Sequence, residues 1–312
     1  MGDLKRLFKR DRFYWAIMMV VMALVVIYML TNVYGLHQKL FYLEDYLESS
    51  QYLQGLRDTY PELVGAYFDE ISYSFLEYMG NMTVIVALIA QAVRLLVQET
   101  QNRTEVQRIF PVKSHNLLTS HYLSGLLMVG IPLLTQIAIV RLDILYKEMN
   151  TDFIFSNKEQ LWIYAGKAVI IFMLYYSLLI VCRKVTNHVP GTIFTFVAAK
   201  IAMEVLAGYC LDMIWDDLAD DNIFHWVFRA SVTVVLILLS YIADQKKDDA
   251  RNGFYAFPVV HWLMMGIVFG EIYLIFHGTY GEIPKAVSIL VAIAASMLIT
   301  TGVHFIAKPK NV

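Results

Sequence analysis

Lys200 and Glu204 stand four residues apart inside one long apolar block, and Glu271 lies inside another. An ionisable side chain in such a block is costly unless it is paired or used, so each of the three is a candidate for function. At helical spacing Lys200 and Glu204 share a face and can neutralise one another toward a bundle interior. The same spacing suits a structural pair that holds a bundle or a subunit interface together, and the two readings stay open. With Glu271, and with His261 and His304 in the last two blocks, these groups contain the acids and bases of a proton relay. Each histidine also has a purely structural reading. Gln91 and Gln136 either line a polar path or hydrogen-bond between helices. Lys167 and Arg229 fall near block ends, where a long side chain reaches the headgroups, so no transport role is expected of them.

Other chemistry lacks its motifs. No H-E-x-x-H occurs, and the six-residue spacing of His115 and His121 does not put them on one helical face. A G-x-S-x-G elbow is missing as well. Nor is there a G-x-x-x-x-G-K-[ST] phosphate loop, so these residues supply no cradle for ATP hydrolysis by that motif. The chain is expected to act without enzymatic activity, cofactor or metal of its own, and no nucleic-acid partner is expected. Cys182 and Cys210 fall near opposite ends of neighbouring blocks, too far apart for a disulfide.

What positions these residues is a set of apolar helices. The 312 residues are 58% hydrophobic and 17% charged, with a mean hydropathy of +0.54, outside ordinary soluble usage. The apolar residues fall in blocks of about 20, the length a helix needs to cross a bilayer. Eight spans are predicted, at 13–36, 74–97, 117–140, 161–182, 192–213, 224–242, 259–277 and 285–306. The expected fold is therefore a single all-α, polytopic membrane domain over 1–312. The first span has no small-residue cleavage site and is read as a retained helix.

Orientation follows the basic residues. With the N-terminus inside, the inner segments hold fifteen: Lys5, Arg6, Lys9, Arg10, Arg12, Arg103, Arg108, Lys113, Arg183, Lys184, Lys246, Lys247, Arg251, Lys308 and Lys310. The outer segments hold six: Lys39, Arg57, Arg141, Lys147, Lys158 and Lys285. This bias predicts a plasma-membrane protein with both termini cytoplasmic. The outer loop at 37–73 is acidic, with Glu44, Asp45, Glu48, Asp58, Glu62, Asp69 and Glu70, and Asp212, Asp216, Asp217, Asp220 and Asp221 crowd the third. Such loops attract a cationic ligand, or serve simply as solvated loops. Residues 1–12 alternate Leu4, Leu7 and Phe8 with Lys5, Arg6, Lys9 and Arg10, the pattern of an interfacial elbow helix or of a topology signal. Tyr14, Trp15, Tyr34, Tyr42, Trp162, Trp215 and Trp226 lie near predicted membrane edges as belt residues.

The inner loop at 98–116 carries more pattern than a linker needs. Asn102 and Glu105 have capping-box spacing, Val106, Ile109 and Phe110 form an apolar stripe, and Pro111 ends the helix. Ser114 can cap the next one. A short cytoplasmic helix with such a stripe, flanked by Arg103, Arg108 and Lys113, docks either on the membrane surface or into a groove on a partner, where Arg108 and Phe110 are suitable anchors.

At this loop the chain resembles the permease subunits of bacterial ABC-2 type transporters, through Arg103, Glu105, Ile109, Phe110, Pro111, Val112 and the run 117–127. The segment 246–258, KKDDARNGFYAFP, is similar to the basic, glycine-containing linker before the penultimate helix of eight-span permeases from Gram-positive bacteria. It departs from the pattern at Lys113, Ser114 and His115, where many relatives carry more arginine. The resemblance implies an exporter for a peptide, an antimicrobial or another small amphipathic molecule. Two permease chains, alike or different, would pair with nucleotide-binding ATPase subunits that hold ATP and Mg. The segment from Arg103 to Pro111, with Val106 and Arg108 within it, would couple the two. The alternative is a carrier driven by an ion gradient through Lys200, Glu204 and Glu271.

Overall fold

The computed structural model describes residues 16, 19–32, 35, 38, 76–95, 114–150, 160–186, 189–214, 223–246, 258–279 and 285–306. These residues form eight helices: α1 Met19–Asn32, α2 Leu76–Leu95, α3 Ser114–Asn150, α4 Gln160–Val185, α5 Val189–Ile214, α6 Ile223–Lys246, α7 Pro258–Thr279 and α8 Lys285–Ile306. Four of them, α2, α3, α4 and α6, contain described stretches long and apolar enough to cross a membrane. The segments 1–12, 39–73 and 98–113, which include the expected elbow helix, nearly all of the acidic loop at 37–73 and the coupling segment, lie outside the described residues.

Helix α3 runs well past the predicted span end at residue 140. The apolar block ends there, but Arg141, Leu142, Leu145, Lys147, Glu148 and Met149 are all good helix formers, so the backbone continues beyond the point where hydropathy falls. Its 37 residues include Pro132, which a membrane helix tolerates because neighbouring helices and side chains satisfy the freed backbone. Between α4 and α5 the turn is closed by Thr186, whose backbone N–H and hydroxyl both donate to the Cys182 carbonyl, at 3.1 and 2.8 Å. The Thr186 hydroxyl also meets that of Thr192 at 2.7 Å. Pro190 then falls in the first turn of α5, where its missing N–H costs nothing.

The chain divides into two compact units. The first holds α1, α2 as far as Arg94, α3 from Asn116 and α4 as far as Met173; the second holds Leu95, Ser114 and His115, the rest of α4 from Leu174, and α5 to α8. In the first, Gly80 of α2 brings three helices together: a methyl group placed there would lie 3.6 Å from the Ala168 Cβ on α4 and 4.0 Å from the Leu133 Cδ2 on α3. These are ordinary contacts. Gly80→Ala should therefore leave the thermal midpoint of the detergent-solubilised protein unchanged or slightly raised, through better helix propensity. Gly80→Leu should lower stability by about 1–3 kcal/mol through overpacking. In the second unit α7 packs on α5 and α8, around Ala198, Met264 and Val268 with Phe194 and Val260 beside them.

Apolar side chains also cover the outside. Leu126, Ile131, Leu134 and Leu142 of α3 and Val227, Val234, Val235, Leu238 and Leu239 of α6 are exposed. Contiguous apolar surface of this kind is rare on a soluble protein and is what lipid tails require.

Candidate functional site

Within the second unit α4 and α5 bring polar side chains together near their middles. Lys200 and Glu204 bracket the centre of α5, and Tyr175 lies just past the centre of α4. The Lys200 Nζ approaches the Glu204 Oε1 at 3.0 Å, the pairing expected from their spacing. The Tyr175 hydroxyl donates to the same oxygen at 2.8 Å, and the Lys200 ammonium stands 5.5 Å from the centre of the Tyr175 ring. Arg229, roughly two turns into α6, lies over the ring of Trp226 at 4.9 Å. Of the readings left open for Lys200 and Glu204, a pair turned to the bundle interior or one at a subunit interface, the first does not describe side chains that are 41% and 49% exposed within this chain. The pair therefore sits on an open face.

Glu271 is placed apart from them. It lies close to the middle of α7, against the backbone of Ala202, where it continues the apolar seam of Phe194 and Ala198. Its Oε1 is buried and has no hydrogen-bond partner among the described residues. His261 makes an edge contact with Trp262 at 5.9 Å, and the side chain of His304 is outside the described residues.

Gln91 and Gln136 belong to the first unit and are buried. Gln136 donates to the Thr83 hydroxyl at 2.6 Å and to the Met79 carbonyl at 3.3 Å, and it contacts the Met29 sulfur at 3.3 Å. Gln91 reaches the Met128 sulfur at 3.6 Å. Both act as hydrogen-bonding links between helices in this arrangement. Arg103, Glu105, Val106, Arg108, Ile109, Phe110 and Pro111 lie outside the described residues.

Sequence reasoning missed several polar residues. Arg94 is buried on α2 and donates to the Ser124 hydroxyl, which in turn donates to the carbonyl of His121. Its three-residue spacing from Gln91 was a readable sign of a polar face. Lys184 and Asp244 form a buried ion pair at 2.6 Å between the ends of α4 and α6. Arg229 was read as a snorkelling residue, and Tyr175 gave no signal beyond being a tyrosine away from the membrane edges. Among the described residues, no group of three His, Cys, Asp or Glu side chains is placed to hold a metal ion.

Because Glu204 serves Lys200 and Tyr175 together, Glu204→Gln should lower the folded yield, read by size exclusion of detergent extracts, several-fold more than Lys200→Gln. Exchanging the two charges should recover most of that yield, since the ion pair re-forms with its order reversed. No recovery would mean that the carboxylate is needed at position 204 itself, beside Tyr175.

An all-helical chain with four helices able to span a bilayer and apolar side chains on its outside is a polytopic membrane protein. Compared with family models, with curated proteins and with solved structures, it matches none of them.

Proposed function

We propose that this chain is the membrane-spanning permease subunit of an ATP-binding cassette exporter, with eight spans, both termini cytoplasmic, and a second permease chain as its neighbour in the plasma membrane. A separate subunit binds ATP and Mg and hydrolyses the nucleotide. The substrate is a peptide, an antimicrobial or another small amphipathic molecule. The observation that carries this reading is the layout of the helices around residues 98–116. The amphipathic segment with its Phe110 stripe falls between α2 and α3, at the predicted inner side where Arg183 and Lys184 also end α4. Helix α3 opens at Ser114, three residues after Pro111. The likeness to ABC-2 permeases in this loop and at 246–258 points the same way.

The test is a detergent pull-down of the tagged chain from its native membrane, with copurifying chains identified and ATPase activity assayed. A stoichiometric ATPase supports the reading. A clean preparation without one favours the second reading, a gradient-driven carrier, for which Lys200, Glu204 and Glu271 supply ionisable groups within the spans.

A further inference from the structure

Helix α5 has one side taken and one side open. Thr195 and Ala198 are buried, Ala198 in the cluster that Met264 and Val268 of α7 complete. Ile193, Val197, Lys200, Ile201 and Glu204 recur at i, i+4, i+7, i+8 and i+11, which sets them along one stripe of the helix. Ile193, Val197 and Ile201 are exposed there together with the two charged side chains.

The middle of this stripe is where lipid fits worst. The Lys200 ammonium has three N–H donors, and among the described residues Glu204 is the one group that accepts from it. The Glu204 carboxylate offers several acceptor positions, and the described residues bring it two donors, Lys200 and the Tyr175 hydroxyl. Acyl chains form no hydrogen bonds, and headgroups lie roughly 15 Å from the middle of the hydrocarbon core. A half-open ion pair at the centre of a span is costly in that setting.

The pair is neutral, so whatever completes it must bring both signs. Copies of one chain insert with one orientation, and a two-fold axis along the membrane normal sets the same stripe against itself. The 3.0 Å contact holds the Lys200 and Glu204 charges at nearly one depth. Across such an axis each ammonium therefore meets the carboxylate of the other copy, and the four charges alternate in sign. The apolar residues above and below them pack in the same register, as helix contacts in a membrane require.

We propose that a second copy of this chain covers this face, the two α5 helices meeting along Ile193, Val197 and Ile201, with Lys200 and Glu204 of both copies closing a ring of alternating charge. This narrows the second permease chain of the transporter reading to an identical one. The contact itself needs only that α5 lies in the membrane.

The full chain carrying Cys182→Ala and Cys210→Ala receives a single cysteine by Ile193→Cys, Val197→Cys or Ile201→Cys and is oxidised in the membrane with copper phenanthroline. A disulfide needs Cβ atoms about 4 Å apart, so a product of twice the chain's mass should form at one or more of these positions. Val234→Cys, on an exposed site of α6, should give several-fold less. In the background that reacts, Lys200→Glu alone and Glu204→Lys alone should each cut the dimer several-fold, because like charges then face one another. Coexpressing those two variants with tags of different size should restore it as a mixed dimer. Lys200→Leu combined with Glu204→Leu, which leaves no charge in the span, should lower it too. No cross-link at any of the three α5 positions, or one at Val234→Cys as strong, overturns the proposal. So does a dimer whose yield is indifferent to the charge variants, or a different chain captured in stoichiometric amount with no cross-link between copies. Cross-linking is read without the ATPase, so a missing ATPase and a missing dimer are separate failures.

Discussion

Asp244→Ala is expected to lower the unfolding free energy by about 3–5 kcal/mol, the usual cost of stripping one partner from a buried ion pair. The pair is short, with 2.6 Å between the Lys184 Nζ and the Asp244 Oδ1, and its side chains are only 11% and 7% exposed. Its position explains why both charges are retained. Lys184, with Arg183, lies in the last turn of α4, where a cation complements the helix dipole. Asp244 lies in the last turn of α6, where a carboxylate opposes it. The aspartate is therefore tolerated because Lys184 neutralises it, and the pair ties the ends of two helices that are not consecutive in the chain. Thermal unfolding in detergent of both single variants and of Lys184→Leu combined with Asp244→Leu completes the cycle. The double apolar variant should recover most of the loss, because neither charge is then left buried alone. A double variant as unstable as Asp244→Ala would show that the site needs polar groups for another reason.

The distinction between what was legible and what was not follows from the range of the interactions. Hydropathy alone predicts all eight helices, because each apolar block is long enough to fix its own backbone state in a bilayer. Span 285–306 coincides with α8, whereas 117–140 falls short of α3 because charged helix formers prolong a helix without adding hydropathy. The contact between Lys200 and Glu204 was readable since both lie on one helix. Tyr175 reaches them from another helix, and a single sequence carries no record of such a neighbour. The ion pair of Lys184 and Asp244 was hidden for the same reason. Arg229 was read from its distance to a block end, which says nothing of the tryptophan a turn earlier that holds its guanidinium. The exposed face of the pair depends on how α4 and α5 are turned, and polar residues at the middle of a span mark only that some face is special.

Phe110→Asp should abolish copurification of the ATPase subunit while leaving membrane insertion intact. In the proposed arrangement Val106, Ile109 and Phe110 enter a groove on that subunit, as their i, i+3, i+4 spacing in the sequence would allow. In helix-in-groove contacts a central aromatic anchor contributes about 2 kcal/mol or more, which is roughly thirtyfold in affinity, and a carboxylate there adds the cost of a buried unpaired charge. Phe110→Leu keeps an apolar anchor and should retain most of the copurifying ATPase, which separates loss of contact from disruption of the loop. Insertion is directed by the apolar spans and by basic residues that neither substitution touches, so both variants should reach the membrane in equal amount. If the ATPase persists with Phe110→Asp, the stripe faces the membrane surface instead, and coupling must pass through other inner residues. If neither the unaltered chain nor Phe110→Leu brings an ATPase with it, the subunit reading fails at its first step. The ionisable residues on α5 and α7 then become the place where energy enters transport.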